Sequence, residues 1–529
     1  MKSTERAAFW PELILAMREG YSGAALRADV VAGLTVAIVA LPLSMAIAIA
    51  SGLGPERGLY TAIVGGALVS ALGGSRHQVG GPAGAFIVLV ASCVMALGVE
   101  GLIVATFLSG LMLIVLGLAR MGSYIRFIPY PVTVGFTAGI GVIILASQLK
   151  EVFGIHLPGA EPGPVAEKLT ALWAAREGVS VAAFGVAMGT IAMIEAFKRF
   201  APKLPSLLIA VVVASVVVAG LGLPVDTISS RFGELPRVLP MPHLPVMTRE
   251  MVMAALPWAV SFTLLGAIES LLSAMVADGM SGTNHRSDVE LVGQGVANIG
   301  SALFGGFCVT GTIARTATNV RAGSHGPVSG LLHAVFLLGF MAIAAPLAGY
   351  IPLAALAGLL TIVAWNMVER DEFKALIRAS KGDAMVLIVT FLLVVFRDLT
   401  EGIVIGFALG GLVFLRHMSE LTTLHPTAAT VPSEPSDDLV TYRLQGAVFF
   451  GAVARLGSIL DRISERPRVL EIDVTDVTFL DSTGAHMIAS LAHKLAKRGG
   501  RLRIVGASGA ILHALRHHGV SADLADIVA

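Results

Sequence analysis

The sequence predicts an all-α polytopic membrane protein of fourteen spans in two sets of seven, followed by a small α/β domain. Three observations predict it. Of 529 residues, 55% are hydrophobic and only 14% charged, against about 25% charged in ordinary soluble domains. The apolar runs fall into two halves with one grammar, and each half has a glycine-broken run in third place. After about residue 420 the apolar runs stop, and strand-like and helix-like patterns alternate.

Residues 1–28 read as a cytoplasmic segment containing an amphipathic helix, FWPELILAMREGY, at the membrane surface. No cleavable signal pattern precedes the first long apolar run at Val30. Residues 29–420 form the membrane domain. The first half places spans at 30–50, interrupted by Pro42, then 58–72, 80–97, 102–119, 132–149, 179–196 and 207–221. A Pro-rich loop at 222–250 lies outside the membrane. The second half runs 252–276, 289–303, 311–320, 331–345, 353–365, 384–396 and 403–415. Several runs fall short of the roughly 20 residues that a straight span needs, so their ends are soft. Paired broken segments in matching positions point to a transporter site between inverted repeats.

With an even number of spans both termini share one side. That side collects Arg76, Arg120, Arg126, Lys198, Arg199, Lys203, Arg286, Arg321, Arg370, Lys374, Arg378, Lys381 and Arg416. The excess of basic residues makes it cytoplasmic. The tail begins with a Pro/Ser/Thr linker at 421–436. The domain at 437–529 shows strand patterns at 439–443, 447–450, 469–474 and RLRIVG, with helices at 485–497 and 510–517. That order argues a mixed sheet, and about 90 residues suffice for one core.

Composition also excludes. A net charge of +1 points neither to nucleic acid nor to an acidic partner. Cys93 and Cys308 both lie in apolar runs and support no disulfide framework, metal site or cofactor. His513, His517 and His518 read as a solvated helix face, without the Cys or carboxylate that a metal site would add. No nucleophile triad or phosphate loop appears, and the chain does not read as an enzyme.

The chemistry concentrates in two stretches. Glu269 is the only charge between Met251 and Ala277, and none occurs from Leu291 to Ala314 before Arg315. An intramembrane carboxylate is a functional hypothesis by default. Burial disfavours its charged form, so it can take up and release a proton; the alternative is an ion pair with Arg315. Ser273, one turn on, shares the face of Glu269, as a ligand or as a small packing residue. Thr310, Gly311 and Thr312 precede Arg315 where a short helix opens inside the membrane, a ready anion site. Gly84, Ala85 and Phe86 open the facing helix, whose free N–H groups would bind oxyanion oxygens, unless the small residues serve close packing. Arg315 would add positive charge near the anion or balance Glu269.

The motifs that carry a family resemblance are ALPLSMAIAIASGLGPERGLYTAIVGG at 40–66, GGPAGAF at 80–86, LLGAIESLLSAMVADGMSG at 264–282, ELVGQGVANIGSALFGGFCVTGTIARTATNVRAG at 290–323 and FLDSTG at 479–484. On these the chain resembles the sulfate permease (SulP) family of anion transporters, and its tail resembles the STAS domain. The stretch 264–323 looks closest to bacterial members that carry C4-dicarboxylates with protons. The resemblance implies a seven-plus-seven inverted repeat with core and gate bundles, homodimers, and substrate between the facing ends of the third and tenth spans. It also implies that Ser44 and Met45, next to Pro42, line the site. A glutamate at the acidic position implies coupling to a proton rather than sodium. In the antagonist branch of the STAS family a hydroxyl of the loop holding Ser482 and Thr483 is phosphorylated, whereas the plain reading of DSTG is a helix N-cap. A STAS domain also implies regulatory protein partners.

The expectation is therefore a secondary active anion transporter of the inner cell membrane, a proton-coupled symporter of sulfate or C4-dicarboxylates working by alternating access. A bicarbonate transporter, or an uncoupled exchanger or channel on the same fold, is the alternative; a membrane-anchored regulatory protein is a further rival. Sulfate, fumarate, succinate and bicarbonate all carry oxygens that two helix ends could hold.

Overall fold

A computed structural model describes residues 9–125, 129–159, 161–202, 204–397, 399–426, 439–451, 453, 469–520 and 525–528. The chain forms two compact units, residues 1–407 and 408–529.

The first unit is helical and follows the expected order of spans. After a surface helix α1 (Glu12–Arg18), α2 (Gly23–Ala50) starts where Ser22 Oγ accepts the Ala25 N–H, and it carries Pro42 within its length. The second span is α3 (Pro55–Tyr60), a π-turn (Thr61–Gly65) and α4 (Gly66–Leu72). A two-residue strand β1 (Gly80–Gly81) and a 3₁₀ turn (Gly84–Phe86) lead into α5 (Ile87–Leu118). Gly98, at φ +70° and ψ −176°, breaks α5 where the sequence places the junction of two spans. Next come α6 (Tyr130–Val152), α7 (Val165–Ala174), α8 (Val181–Phe200) and α9 (Ser206–Leu221).

The second half opens with α10 (Arg249–Ser281), capped by Thr248 and closed by Gly282 in the left-handed conformation. Then follow α11 (Ser287–Leu303), β2 (Thr310–Gly311), α12 (Ile313–Arg321), α13 (Val328–Ala348), α14 (Leu353–Met367), α15 (Arg370–Ala379), α16 (Lys381–Phe396) and α17 (Leu399–Leu421). Among the described residues, eight helices are long and apolar enough to cross a membrane by themselves. The nine residues of α12 rise only about 14 Å, half the roughly 30 Å of a hydrocarbon core. Among the described residues the membrane unit is thus all-α except at β1 and β2.

Two ten-residue helices absent from the sequence reading, α7 and α15, lie in stretches read as loops. The α15 sequence RDEFKALIRA has one charged face and no buried residue, so it carries no hydropathy signal of a span. Arg370 there stacks 4.5 Å over Trp365. Elsewhere glycines let backbones touch. A Cβ on Gly110 of α5 would lie 2.6 Å from Gly295 O, and one on Gly295 of α11 would lie 2.5 Å from Gly110 O. Close approach of this kind is how helices associate where no hydrophobic effect drives them together. On one face of the unit Glu12 of α1 pairs with Arg76 at 3.4 Å and Arg286 at 2.9 Å. The N-terminal helix therefore shares a side with two of the loops that carry the basic excess.

Among its described residues the second unit holds a mixed six-stranded sheet, with β3 (Thr423–Pro426), β4 (Leu439–Val448), β5 (Val469–Asp473), β6 (Val477–Leu480), β7 (Arg501–Val505) and β8 (Ala525–Val528). The order is β3-β4-β5-β7-β8, β6 also pairs with β4, and only β3 runs antiparallel. Leu470, Ile472, Leu502 and Ile504 alternate into a core covered by Ile488, Leu491 and Leu495 of α18 (Ser482–Lys497), with α19 (Gly509–His517) beside it. The two strands expected at 439–443 and 447–450 are one strand, because Gly446, at φ +94°, absorbs a register shift without ending the ladder. Residues 423–426, inside the stretch read as linker, form the edge strand β3; residues 427–436 of that linker lie outside the described residues.

Candidate functional site

The two broken segments meet backbone to backbone. β1 and β2 pair antiparallel, Gly80 opposite Gly311 and Gly81 opposite Thr310. Thr312 continues the contact, its N–H and hydroxyl donating to Val79 O at 3.2 and 3.3 Å. Val79 N–H in turn donates to Thr316 Oγ1 at 3.2 Å. Irregular backbone at membrane depth persists only where its polar groups find such partners.

From this ladder two helices begin. The 3₁₀ turn Gly84–Phe86 enters α5 with no side-chain cap, and α12 starts at Thr312 without one. The Thr312 hydroxyl is committed to Val79 O instead. Helix geometry leaves the first N–H groups of each without an intrahelical acceptor, at the positive end of the dipole. Two uncapped starts beside one ladder make an arrangement that can hold an oxyanion.

Arg315, one turn into α12, is 1% exposed. Its Nη1 donates to Gly80 O at 3.2 Å, and its Nη2 to Ser44 Oγ at 3.0 Å and Pro82 O at 3.3 Å. The guanidinium thus ties α12 to α2 and to the turn after β1. Among the described residues no carboxylate lies within ion-pair distance of it, and its Nε has no partner. The ion pair with Glu269 that the sequence left open is not formed. Glu269, 9% exposed on α10, makes no hydrogen bond or ion pair among the described residues. Among the described residues Arg315 and Glu269 thus each lie buried without an ion-pair partner, a costly arrangement that marks function more often than stability.

The remaining expected residues divide. Ser44 joins the Arg315 cluster and donates to Ala40 O at 2.6 Å. Ser273 donates to Thr316 Oγ1 at 3.0 Å, and Thr310 to Gly266 O at 3.3 Å, so both hydroxyls hold α10 against the β2–α12 segment. Phe86 packs on Phe262 of α10, with ring centroids 6.1 Å apart. Met45 is fully buried and lines an apolar cavity beside α9 and α13. At Gly311 a Cβ would meet Gln78 Nε2 at 2.0 Å, so the absence of a side chain there makes room for Gln78. At Gly84 a Cβ would meet Ile144 Cδ1 at 3.5 Å and Met367 Sδ at 3.7 Å, ordinary contacts. In the second unit Asp481 caps α18, its Oδ1 accepting the Gly484 N–H at 2.7 Å, and Ser482 and Thr483 are exposed in the first turn.

Sequence reasoning missed a second buried carboxylate. Glu290 of α11 is fully buried and accepts from Gly74 N–H at 2.9 Å, Ser75 N–H at 3.1 Å, Gln78 Nε2 at 2.6 Å and Ser270 Oγ at 3.3 Å. Gln294 and Asn298 lie on the same face of α11. Both donate to Val309 O, and the Asn298 carbonyl accepts the Val309 N–H at 3.1 Å. The signal was present: Glu290, Gln294 and Asn298 recur every four residues in ELVGQGVAN, one polar stripe on an otherwise apolar helix.

Comparison with known proteins bears on this geometry. Residues 26–390 match the sulfate permease family and residues 430–527 match the STAS domain. The chain is 38% identical to the Bacillus subtilis protein YvdB, provisionally named a sulfate transporter, over 92% of this chain and 93% of that one. It is 30% identical to the bicarbonate transporter BicA of Synechocystis, over 92% of this chain and 89% of that one. The solved structure of SLC26A9 superposes with a TM-score of 0.87 at 18% identity, over 99% of this chain and 92% of that one, which shows the fold. The transmembrane domain of a cyanobacterial BicA superposes with a TM-score of 0.65 at 32% identity, over 72% of this chain and 97% of that one.

Proposed function

The chain belongs to the sulfate permease family of anion transporters, and from that premise we propose that it is a secondary active transporter that moves sulfate or a C4-dicarboxylate together with a proton by alternating access. The observation that carries the proposal is Glu269, a buried carboxylate with no partner among the described residues, on the helix whose Gly266 O accepts from Thr310 of the β1–β2 crossing. A carboxylate held by an ion pair would stay charged; one without a partner in an apolar surround can alternate between protonated and charged forms. The uncapped starts at Gly84 and Thr312 supply N–H donors for anion oxygens. Arg315, with no acidic partner among the described residues, supports them with unneutralised positive charge. We assign substrate contact to Gly84, Ala85, Phe86, Thr312 and Arg315, and coupling to Glu269.

The names of the relatives given above point to sulfate and bicarbonate; the motif at 264–323 is what supports a dicarboxylate. A second reading, bicarbonate transport with or without coupling, is favoured by the likeness to BicA. Uptake by reconstituted protein from labelled sulfate, fumarate, succinate and bicarbonate, with and without an imposed pH gradient, separates these readings. Accumulation of sulfate or a dicarboxylate driven by the proton gradient supports the first. Accumulation of bicarbonate alone, or exchange indifferent to pH, replaces it. A homodimeric assembly, with the STAS domain as its regulatory part, completes the proposal.

A further inference from the structure

A cavity of about 380 Å³ lies between α2 and α5 on one wall and α6 and α14 on the other. Its inner end is formed by Ala46 and Ile87, each the direct neighbour of an expected site residue, Met45 and Phe86. Its other end lies at the C-termini of α2 and α6 and the N-terminus of α14, the side away from α1. That mouth carries five charged residues from three separate stretches. Lys168 of α7 pairs with Glu161 at 2.7 Å, and Arg231 pairs with Glu151 of α6 at 2.6 Å. Lys150 stands between the two carboxylates, 3.9 Å from Glu151 and 4.0 Å from Glu161. Lys168 is only 8% exposed although it lies at the surface end of the unit.

We propose that Lys150, Lys168 and Arg231 form an external capture site for a small oxyanion, in which Glu151 and Glu161 are built-in competing anions. Three cations against two carboxylates leave one unit of positive charge at the mouth of a cleft with apolar walls. Such a cleft focuses its field and raises the local concentration of anions. A divalent oxyanion replaces Glu161 at Lys168 and Lys150 and then stands above the passage to Phe86. The paired carboxylates keep the buried cations satisfied when no anion is present, since a buried unpaired ammonium is costly. The inference rests on the transport reading and on the cytoplasmic placement of the termini.

The test uses the full chain in sealed vesicles of known orientation. Ser92, on the cavity wall, is replaced by cysteine; the native Cys93 and Cys308 are both buried. A membrane-impermeant maleimide labels Ser92→Cys from outside, and sulfate slows that labelling. Adding Lys168→Gln raises the protecting sulfate concentration by roughly 10-fold, while Glu161→Gln lowers it, because one removes a cation and the other its competitor. In transport assays Lys168→Gln raises half-saturation for external sulfate and leaves that for internal sulfate unchanged. Labelling only from the cytoplasmic face, no protection by sulfate, or shifts of the same sign for both substitutions would overturn the proposal. The labelling readout needs no transport. A protein that captures sulfate outside yet accumulates none would therefore refute the coupled-transport reading and leave the capture site standing.

Discussion

Arg315 lies so close over Gly81 that a Cβ on Gly81 would fall 1.5 Å from its Nη1. The first member of the crossing and the guanidinium from the second are therefore one steric unit. Gly81→Ala must push Arg315 off Gly80 O and Pro82 O. The expected result is a destabilisation of about 1–3 kcal/mol, typical of overpacking, together with loss of anion binding. Thermal unfolding and anion affinity measured on the same protein check it; an alanine variant of wild-type affinity would remove Arg315 from the site.

Gly84 and Gly311 separate by mechanism. A Cβ at Gly84 has room at 3.5 Å from Ile144, whereas one at Gly311 collides with Gln78. Gly84→Ala should keep stability and weaken anion binding by crowding the helix start. Gly311→Ala should lose stability first. Equal losses of stability in the two variants would count against Gly84 as a site residue.

The two buried glutamates should behave in opposite ways. Glu269→Gln should fold normally, lose accumulation driven by a proton gradient and retain exchange. Glu290→Ala should strand the N–H groups of Gly74 and Ser75 and the amide of Gln78, each at a cost of about 1–3 kcal/mol. It should therefore fail to give a detergent-stable protein. Wild-type accumulation by Glu269→Gln at an imposed gradient would end its coupling role.

The STAS unit needs its edge strand. Thr422 Oγ1 donates to Ala447 O at 2.7 Å, and β3 pairs with β4 from Thr423 to Pro426. A fragment of residues 422–529 should be more stable to urea than one of residues 437–529. Identical midpoints would show that β3 adds nothing to the sheet.

Asp473 sets an acid limit for that unit. Burial works against its charge, but the Thr475 hydroxyl and N–H and the Arg443 guanidinium donate to it and hold its carboxyl below the usual range. A folded value below the unfolded one, about 3.9, means stability that is present above that pH and lost as pH falls through the folded value. Thr475→Ala should raise the folded value and move acid unfolding of the 422–529 fragment to higher pH, read by circular dichroism. An unmoved transition would show that these hydrogen bonds do not control it.

Hydropathy alone placed the spans, because a bilayer demands long apolar runs whatever they pack against. It also placed the break at Gly98, since the two runs either side are separated by Gly98-Val99-Glu100. It passed over α7 and α15, whose charged faces look like loop. Glu269 was legible as a lone charge in an apolar run. Glu290 was passed over despite the four-residue polar period it starts, because it stands in the first turn of its helix beside Asp288 and so looked like the polar end of a span.

The sequence by itself determined the membrane class, the order of the segments, the two broken helices and the residues that could carry charge within them. These follow from local composition and period, which each segment expresses without its neighbours. Tertiary structure alone decided which polar groups are satisfied. Pairing of Arg315 with Ser44 and Gly80, rather than with Glu269, depends on contacts between residues over 200 positions apart. So does the satisfaction of Glu290 by Gly74, Ser75 and Gln78. Desolvation makes every such partner count, and only the packed chain specifies which partner each buried group receives.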